Sequence, residues 1–118
     1  MNAQDRAAAL LDILELHRSV PDAVRELSRF DFDGEEDLVT LTPAHVTAFL
    51  RGYLSGALTE NDVEVWAEAL AGRDDVGLLE GYGNLLKQVL FELSTPEINE
   101  PIGFEMARRW VERFGIVP

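Results

Sequence analysis

Apolar residues recur with a helical period along most of this chain. In the first segment Ala7, Leu10, Leu11 and Leu14 fall at i, i+3, i+4 and i+7, which places them on one face of a helix. Similar stripes occupy five further segments, each bounded by residues that typically begin or end helices. The pattern therefore predicts six helices, at about residues 3–18, 19–29, 42–56, 59–72, 83–93 and 101–114.

Capping residues mark the predicted helix boundaries. Ser19, Thr42 and Thr59 each stand just before an apolar stripe, where a side-chain oxygen accepts a hydrogen bond from a free backbone N–H group. Gly56 and Gly72 follow two of the stripes, at positions where a left-handed residue ends a helix. These signals separate the helices by short connections, so no linker divides the chain.

Two segments break the helical period. Residues 30–33 alternate aromatic and acidic side chains, residues 34–37 resemble a turn, and residues 38–42 favour a strand. They predict either a short β-hairpin or an extended loop whose Phe30 and Phe32 enter the core. Residues 73–82 are rich in glycine and predict at most a single helical turn. The expected fold is mainly all-α, a compact bundle of five to six helices in one domain over residues 1–118, with or without the hairpin near residues 30–42.

The composition excludes several classes of function. The chain has 118 residues, no cysteine and a formal net charge of −12. Such an excess of acids argues against binding to nucleic acid or to anionic membranes, which both need a cationic surface. The first sixteen residues carry charges among their apolar positions, unlike a signal peptide or a membrane span. We therefore expect a cytoplasmic protein.

The negative charge is concentrated in the middle of the chain. Residues 31–80 contain twelve acids and two bases, whereas residues 1–30 and 81–118 each contain five acids and four bases. Two acidic clusters dominate that middle part, and we take them as the candidate partner-binding residues. The first consists of Asp31, Asp33, Glu35, Glu36 and Asp37, and the second of Glu60, Asp62, Glu64 and Glu68. Such acids either bind a cationic partner or only keep the protein soluble.

The first acidic cluster resembles a calcium-binding loop without completing it. Asp31, Asp33 and Glu35 would supply the first, third and fifth ligands. Glu36 then stands where the sharp turn needs glycine, and Thr42 where a bidentate glutamate should close the coordination sphere. The sequence therefore does not predict a dedicated calcium site.

Other chemical motifs are also incomplete. His17 and His45 lack a carboxylate or second histidine at metal-ligand spacing along a helix, and no serine has an evident base. Gly77, Gly81 and Gly83 lack the preceding strand and the following Lys-Ser/Thr pair of a phosphate-binding loop. We expect no catalytic residues, no metal and no cofactor.

Several segments resemble known proteins. The strings at residues 38–42, 49–56, 65–75 and 90–99 resemble short uncharacterised bacterial proteins of this length, with a likeness covering most of residues 30–100. The segment 49–56 followed by a capped acidic helix is also similar to colicin-type immunity proteins. That second resemblance implies a small acidic helical inhibitor that blocks a cationic nuclease toxin.

These observations lead to three hypotheses of different classes. The first is a non-enzymatic interaction protein that turns its acidic clusters toward a basic protein partner, with Tyr53 or Tyr82 as an anchor. The second is a structural or accessory subunit, a homodimer, whose acidic face only maintains solubility. The third is an enzyme or metal-binding protein that uses paired carboxylates, and it requires Glu64 and Glu68 in a deep pocket with a strongly raised pKa on one of them.

Overall fold

The computed structural model describes residues 3–30, 37–73 and 75–116, which form six helices and two short strands. In chain order these are α1 (Ala3–Glu15), α2 (Val20–Leu27), β1 (Val39–Leu41), α3 (Pro43–Leu54), α4 (Glu60–Leu70), β2 (Val76–Leu78), α5 (Gly83–Ser94) and α6 (Phe104–Ile116). The mainly helical bundle is confirmed, and each helix lies where an apolar stripe predicts it.

The predicted caps begin three of these helices. The Ser19 side chain accepts the backbone N–H of the third residue beyond it at the start of α2, and Thr42 and Thr59 do the same for α3 and α4. Gly56 ends the turn after α3 with a φ of 89°, in the left-handed region that glycine adopts without a steric penalty. Local chemistry therefore determines where these helices start and stop.

The two strands form a small parallel sheet. Val39 pairs with Val76 and Leu41 with Leu78, and α3 and α4 together make the crossover between the strands. Leu79 N–H donates to the carbonyl of Leu41 over 3.0 Å, which extends the pairing by one bond. The paired strands thus hold together the two ends of the segment that contains α3 and α4.

This sheet corrects two expectations for the non-helical segments. The prediction of a helical turn in residues 73–82 is wrong, because Val76–Leu78 is a strand. The β-prone residues 38–42 do contain a strand, yet in the described part of the chain its partner is β2 and not the preceding residues. The first half of the suggested hairpin, residues 31–36, lies outside the described residues. Phe30 is half-buried against the core.

The core lies between helices that pack in pairs, α3 on α6, α4 on α5, and α1 on α2. Trp66 of α4 is fully buried and stacks on Phe49 of α3, with ring centroids 4.0 Å apart and planes 12° from parallel. Its indole N–H donates to the carbonyl of Ile13 in the last turn of α1 over 3.0 Å. Trp66 therefore joins α4 to both α3 and α1.

A buried ion pair stands at the start of β2. Asp75 is fully buried, and its two carboxylate oxygens accept from Nε and Nη2 of Arg73 at 2.8 and 2.9 Å. The guanidinium of Arg6 approaches the same carboxylate from α1 at 3.4 Å. Two cations thus neutralise one carboxylate in the interior, where a lone charge would be costly.

Candidate functional site

The second acidic cluster lies along α4. Glu60, Glu64 and Glu68 are spaced four residues apart, so their carboxylates follow one another along the same face of the helix. Glu60 and Glu68 are exposed, and Glu64 is half-buried. We call these three residues, together with Glu97 from the connection between α5 and α6, the acidic ridge.

Asp62, the fourth acid of that cluster, contributes to the start of the helix. Its carboxylate accepts the backbone N–H of Thr59 over 3.0 Å, while the Thr59 hydroxyl accepts the backbone N–H of Asp62 at the same distance. This reciprocal pair satisfies two N–H groups that have no partner inside the helix. The structure therefore gives Asp62 a capping role and leaves it out of the ridge.

Like charges are crowded on the acidic ridge. Desolvation raises the pKa of Glu68, and a hydrogen bond with Glu64 and the negative charges of Glu64 and Glu97 raise it further. These contributions act in the same direction, because each one disfavours the ionised carboxylate. Glu97 is more than twenty-five residues away in the sequence from both, so only the fold brings it close.

The acidic ridge lacks neighbouring bases, unlike several other acids in the described part of the chain. Elsewhere, Asp12 pairs with Arg18, Glu26 with Arg29, and Asp75 with Arg73 and Arg6. Within residues 3–30, 37–73 and 75–116, no Lys, Arg or His side chain comes within ion-pair distance of any ridge carboxylate. The ridge is therefore a negatively charged surface that the described part of its own chain does not neutralise.

Apolar groups lie beside the acidic ridge. A shallow groove of about 310 Å³ runs along the start of α4 and is lined by Glu60, Asn61, Glu64, Pro96, Pro101 and Ile102. In the segment that forms its far wall, Ile98 is 68% exposed, and Phe104 at the start of α6 is 52% exposed. Carboxylates and exposed apolar side chains thus occur together on this part of the surface.

Tyr53 connects Phe104 to the acidic ridge. Its ring is buried, and its centroid lies 5.2 Å from that of Phe104. Desolvation raises the pKa of Tyr53, and the negative charge of Glu60 raises it further. Tyr53 is thus not an exposed anchor, and it supports the exposed Phe104 ring from below. Tyr82, the other suggested anchor, is half-buried.

The sequence alone did not indicate Glu97, Ile98 or Phe104. Glu97 and Ile98 lie in a proline-bounded connection without a readable period, and Phe104 does not belong to the apolar stripe of the last helix. An isolated exposed apolar residue is ordinary, so no signal in the sequence separated these two from core residues. Their significance comes from their position beside the α4 carboxylates.

The first acidic cluster is described only at its last residue. Asp31, Asp33, Glu35 and Glu36 lie outside the described residues. Asp37 is exposed and lies against Gly77 of β2, at the edge of a different cleft, between the end of α4 and α5. Partner binding by this first cluster thus stays a prediction.

The two histidines have local partners. His17 Nδ1 lies 3.2 Å from the carboxylate of Asp12. His45 Nδ1 accepts the backbone N–H of Thr42 over 3.1 Å and so completes the cap of α3. Desolvation lowers the pKa of His45, and the charge of Glu15 partly opposes this. The neutral ring is the form that can accept this hydrogen bond.

The described part of the chain holds no cluster suited to a metal ion and no helix suited to a membrane. Among residues 3–30, 37–73 and 75–116, no group of three or more His, Asp or Glu side chains is arranged to hold a metal ion. In the same ranges, no helix is both long enough and apolar enough to cross a membrane. Although Glu68 has a raised pKa, it is exposed and does not line a deep pocket.

Comparison with known proteins returned no relative. No protein-family model, curated protein or solved structure matches this chain.

Proposed function

We propose that this chain is a non-enzymatic interaction protein that binds a basic protein partner through the acidic ridge. The observation that carries the proposal is the absence of any neutralising base in the described chain around Glu60, Glu64, Glu68 and Glu97. The resemblance of residues 49–56 and the acidic helix after them to colicin-type immunity proteins motivates the more specific form of this proposal, an inhibitor that covers a cationic surface of a toxin.

Electrostatic attraction raises the association rate at such an interface and makes it selective for basic partners. An uncompensated negative surface accelerates the encounter with a positive one and disfavours acidic competitors. A Lys or Arg side chain placed between Glu64 and Glu68 would relieve the repulsion that now raises the pKa of Glu68. Part of the energetic cost of this crowding would thus be recovered on binding.

Affinity requires apolar contacts as well. Ile98 and Phe104 stand exposed next to the ridge, and burying such side chains supplies most of the binding free energy at protein interfaces. Each buried apolar side chain of this size contributes about 1.5–3 kcal/mol before the costs of association. We therefore expect charge to govern the association rate and these two residues to govern dissociation.

The test is a tagged pull-down from a lysate of the source cells at low and high salt. One bait carries Glu64→Gln, Glu68→Gln and Glu97→Gln, and leaves Glu60 in place because it lies in the first helical turn. The matched control carries Glu15→Gln, Glu80→Gln and Glu112→Gln, three exposed carboxylates that do not line the groove beside the ridge. Both baits lose three negative charges.

The proposal expects one basic protein to be retained by the wild-type and control baits, released at high salt, and lost from the ridge variant. Retention of the same proteins by all three baits, or of no basic protein by the wild type, contradicts it. A further bait with Asp31, Asp33, Glu35, Glu36 and Asp37 changed to Asn or Gln tests whether the first cluster contributes. A solution mass of twice 13.2 kDa that the ridge variant leaves unchanged favours the alternative of a homodimeric accessory subunit.

A further inference from the structure

A second surface feature lies away from the acidic ridge. A cleft of about 730 Å³ opens between the end of α4, strand β2 and helix α5. Its lining includes the apolar residues Leu70, Ala71, Val76, Leu78, Leu90 and Phe91, of which Leu70, Val76 and Leu90 are buried, together with glycines and polar residues. A volume in this range and an apolar lining are typical of small-molecule and peptide sites. Phe91 is 50% exposed, so part of this apolar wall faces solvent.

One helix face of α5 borders the cleft. Gly83, Lys87 and Phe91 are spaced four residues apart, and all three line it. A Cβ atom built on Gly83 meets nothing within 4 Å, so the absence of a side chain there leaves that end of the cleft open. The cleft therefore owes part of its volume to the glycine at the start of α5.

Lys87 supplies a positive charge at the cleft. It is the only lysine in the sequence, it is exposed, and it lies in a chain that contains twenty-two acids. Even so, no carboxylate of the described residues lies within ion-pair distance of its ammonium group. The other cation in the lining, Arg73, is buried and already binds Asp75 through two hydrogen bonds.

Asp37 supplies a negative charge to the same cleft. Its carboxylate lies against Gly77 of β2, so close that a Cβ atom on Gly77 would come within 2.8 Å of the Asp37 Cγ. Glycine at position 77 therefore lets Asp37 lie over the strand. Within residues 3–30, 37–73 and 75–116, no base pairs with Asp37, and Asp37 and Lys87 do not pair with each other. The cleft thus presents an apolar wall with two separate, opposite charges.

We propose that this cleft binds an apolar zwitterion, a short apolar peptide with free termini, whose carboxylate meets Lys87 and whose ammonium group meets Asp37. A ligand with a single negative charge would meet repulsion from Asp37, and one with a single positive charge would meet repulsion from Lys87. A ligand charged at both ends is the class for which both groups contribute favourably. Its apolar side chains would cover Phe91 and the neighbouring leucines.

The experiment titrates the full chain with trileucine, followed by ¹H–¹⁵N correlation spectra. N-acetyl-trileucine and trileucine amide serve as probes that each lack one terminal charge. For the wild type we expect saturable shifts centred on α5 and β2, with a Kd below about 1 mM. Each capped peptide should bind about threefold more weakly, the size expected for one solvent-exposed ion pair.

Variants assign each charge to its residue. In Lys87→Gln, trileucine and its amide should bind equally, because the carboxylate has lost its partner. In Asp37→Asn, trileucine and its N-acetyl form should bind equally. Gly83→Leu places a side chain in the open end of the cleft without backbone strain and should abolish binding. Arg108→Gln on α6, which removes one exposed positive charge outside the cleft, should bind like the wild type.

Three results would overturn the proposal. The first is the absence of saturable shifts in the wild type up to about 5 mM trileucine, well above the affinity expected for a built site. The second is equal affinity of the wild type for all three peptides, which would mean that the two charges play no role. The third is a dimer in solution that Gly83→Leu dissociates, which would make the cleft an interface between copies of this chain.

Discussion

Replacing Trp66 by phenylalanine tests whether one side chain joins three helices as the structure indicates. Trp66 is fully buried, stacks on Phe49 of α3, and donates its indole N–H to the Ile13 carbonyl. That carbonyl lies in the last turn of α1, where the nearby N–H of His17 bonds to Asp12 instead. The indole is therefore the partner of a carbonyl that the helix itself leaves without one.

The expected loss follows from two contributions. Phenylalanine fills less space than tryptophan, and a residual cavity of about 40 Å³ costs about 1 kcal/mol. Without the indole N–H, the carbonyl of Ile13 stays buried and unsatisfied, which costs about 1–3 kcal/mol. Together we expect Trp66→Phe to lower the free energy of unfolding by about 3 kcal/mol. For a chain of 118 residues this corresponds to a fall in Tm of about 12 °C.

The assay is thermal and urea unfolding followed by far-ultraviolet circular dichroism at pH 7. The chain offers a matched control in Trp110→Phe, because Trp110 is also a buried helical tryptophan but its N–H donates to no described residue. A phenylalanine there still gives Arg113 and Phe114 an aromatic neighbour. The control variant should therefore lower the free energy of unfolding only by the cavity contribution, about 1 kcal/mol.

Equal losses in the two variants would refute this reasoning. That result would mean that the Ile13 carbonyl is satisfied without Trp66, by water or by a shift of the α1 end. An isosteric replacement of Trp66 by benzothienylalanine separates the two contributions further, since it keeps the ring size and removes only the N–H. We expect it to cost about 1–3 kcal/mol, the unsatisfied-carbonyl contribution alone.

Three further predictions concern charged and titratable groups. Because folding lowers the pKa of His45, the contribution of this residue to the free energy of unfolding should be constant above pH 6.5 and should fall as the pH drops from 6.5 through the lower folded pKa. Urea unfolding at a series of pH values measures this change. Asp75→Asn should lower the free energy of unfolding by about 3–5 kcal/mol, since it leaves buried Arg73 without its carboxylate. Glu64→Gln should stabilise the protein at pH 7 and low salt by about 0.3 kcal/mol, since it relieves repulsion of Glu68.

Each of these predictions has its own control. His45→Gln keeps a side-chain acceptor at the cap but does not titrate, so it should remove the acid-side slope between pH 6.5 and the folded pKa. An unchanged slope would mean that another group causes it. For Asp75→Asn the control is Glu26→Gln, which breaks an exposed ion pair and should lower the free energy of unfolding by less than about 1 kcal/mol. An equally small loss in Asp75→Asn would contradict the argument from the buried ion pair. The gain from Glu64→Gln should disappear well below pH 4.5, the ordinary pKa of Glu68, where that group is neutral in both the folded and the unfolded state. Persistence of the gain there would contradict its electrostatic origin.

Helices were predictable from this sequence because their signals are local. The stripe at Val63, Trp66, Ala67 and Leu70 repeats with the period of the helix it forms, and Thr59 starts that helix through its own side chain. Helix ends were less well predicted, since α1 ends at Glu15 and not near residue 18. The residue after it, Leu16, adopts a left-handed φ of 54°, which is uncommon for a leucine and could not be predicted from the residue type.

Strand β2 was not predictable in the same way, although the β-prone residues 38–42 indicated β1. Val76–Leu78 is too short to show an alternation of apolar and polar residues, and it contains a glycine. Its hydrogen-bonding partner is β1, which is separated from it in the sequence by two helices. Pairing of this kind depends on tertiary contacts and not on local propensity. The same limit explains the incorrect expectation of a helical turn there.

The amino-acid sequence by itself determined the helical class, the caps and the uneven charge, because each depends on residue types a few positions apart. It also indicated the acids of α4, whose spacing of four residues puts Glu60, Glu64 and Glu68 on one face. Only the tertiary structure decided which groups meet across the chain. It placed Glu97 beside Glu68 and the partly exposed ring of Phe104 against Tyr53. It also brought Lys87 and Asp37 to the same cleft. These contacts depend on how the helices pack. Packing is determined by the sum of many weak contacts between residues distant in the sequence, so a local sequence pattern does not predict it.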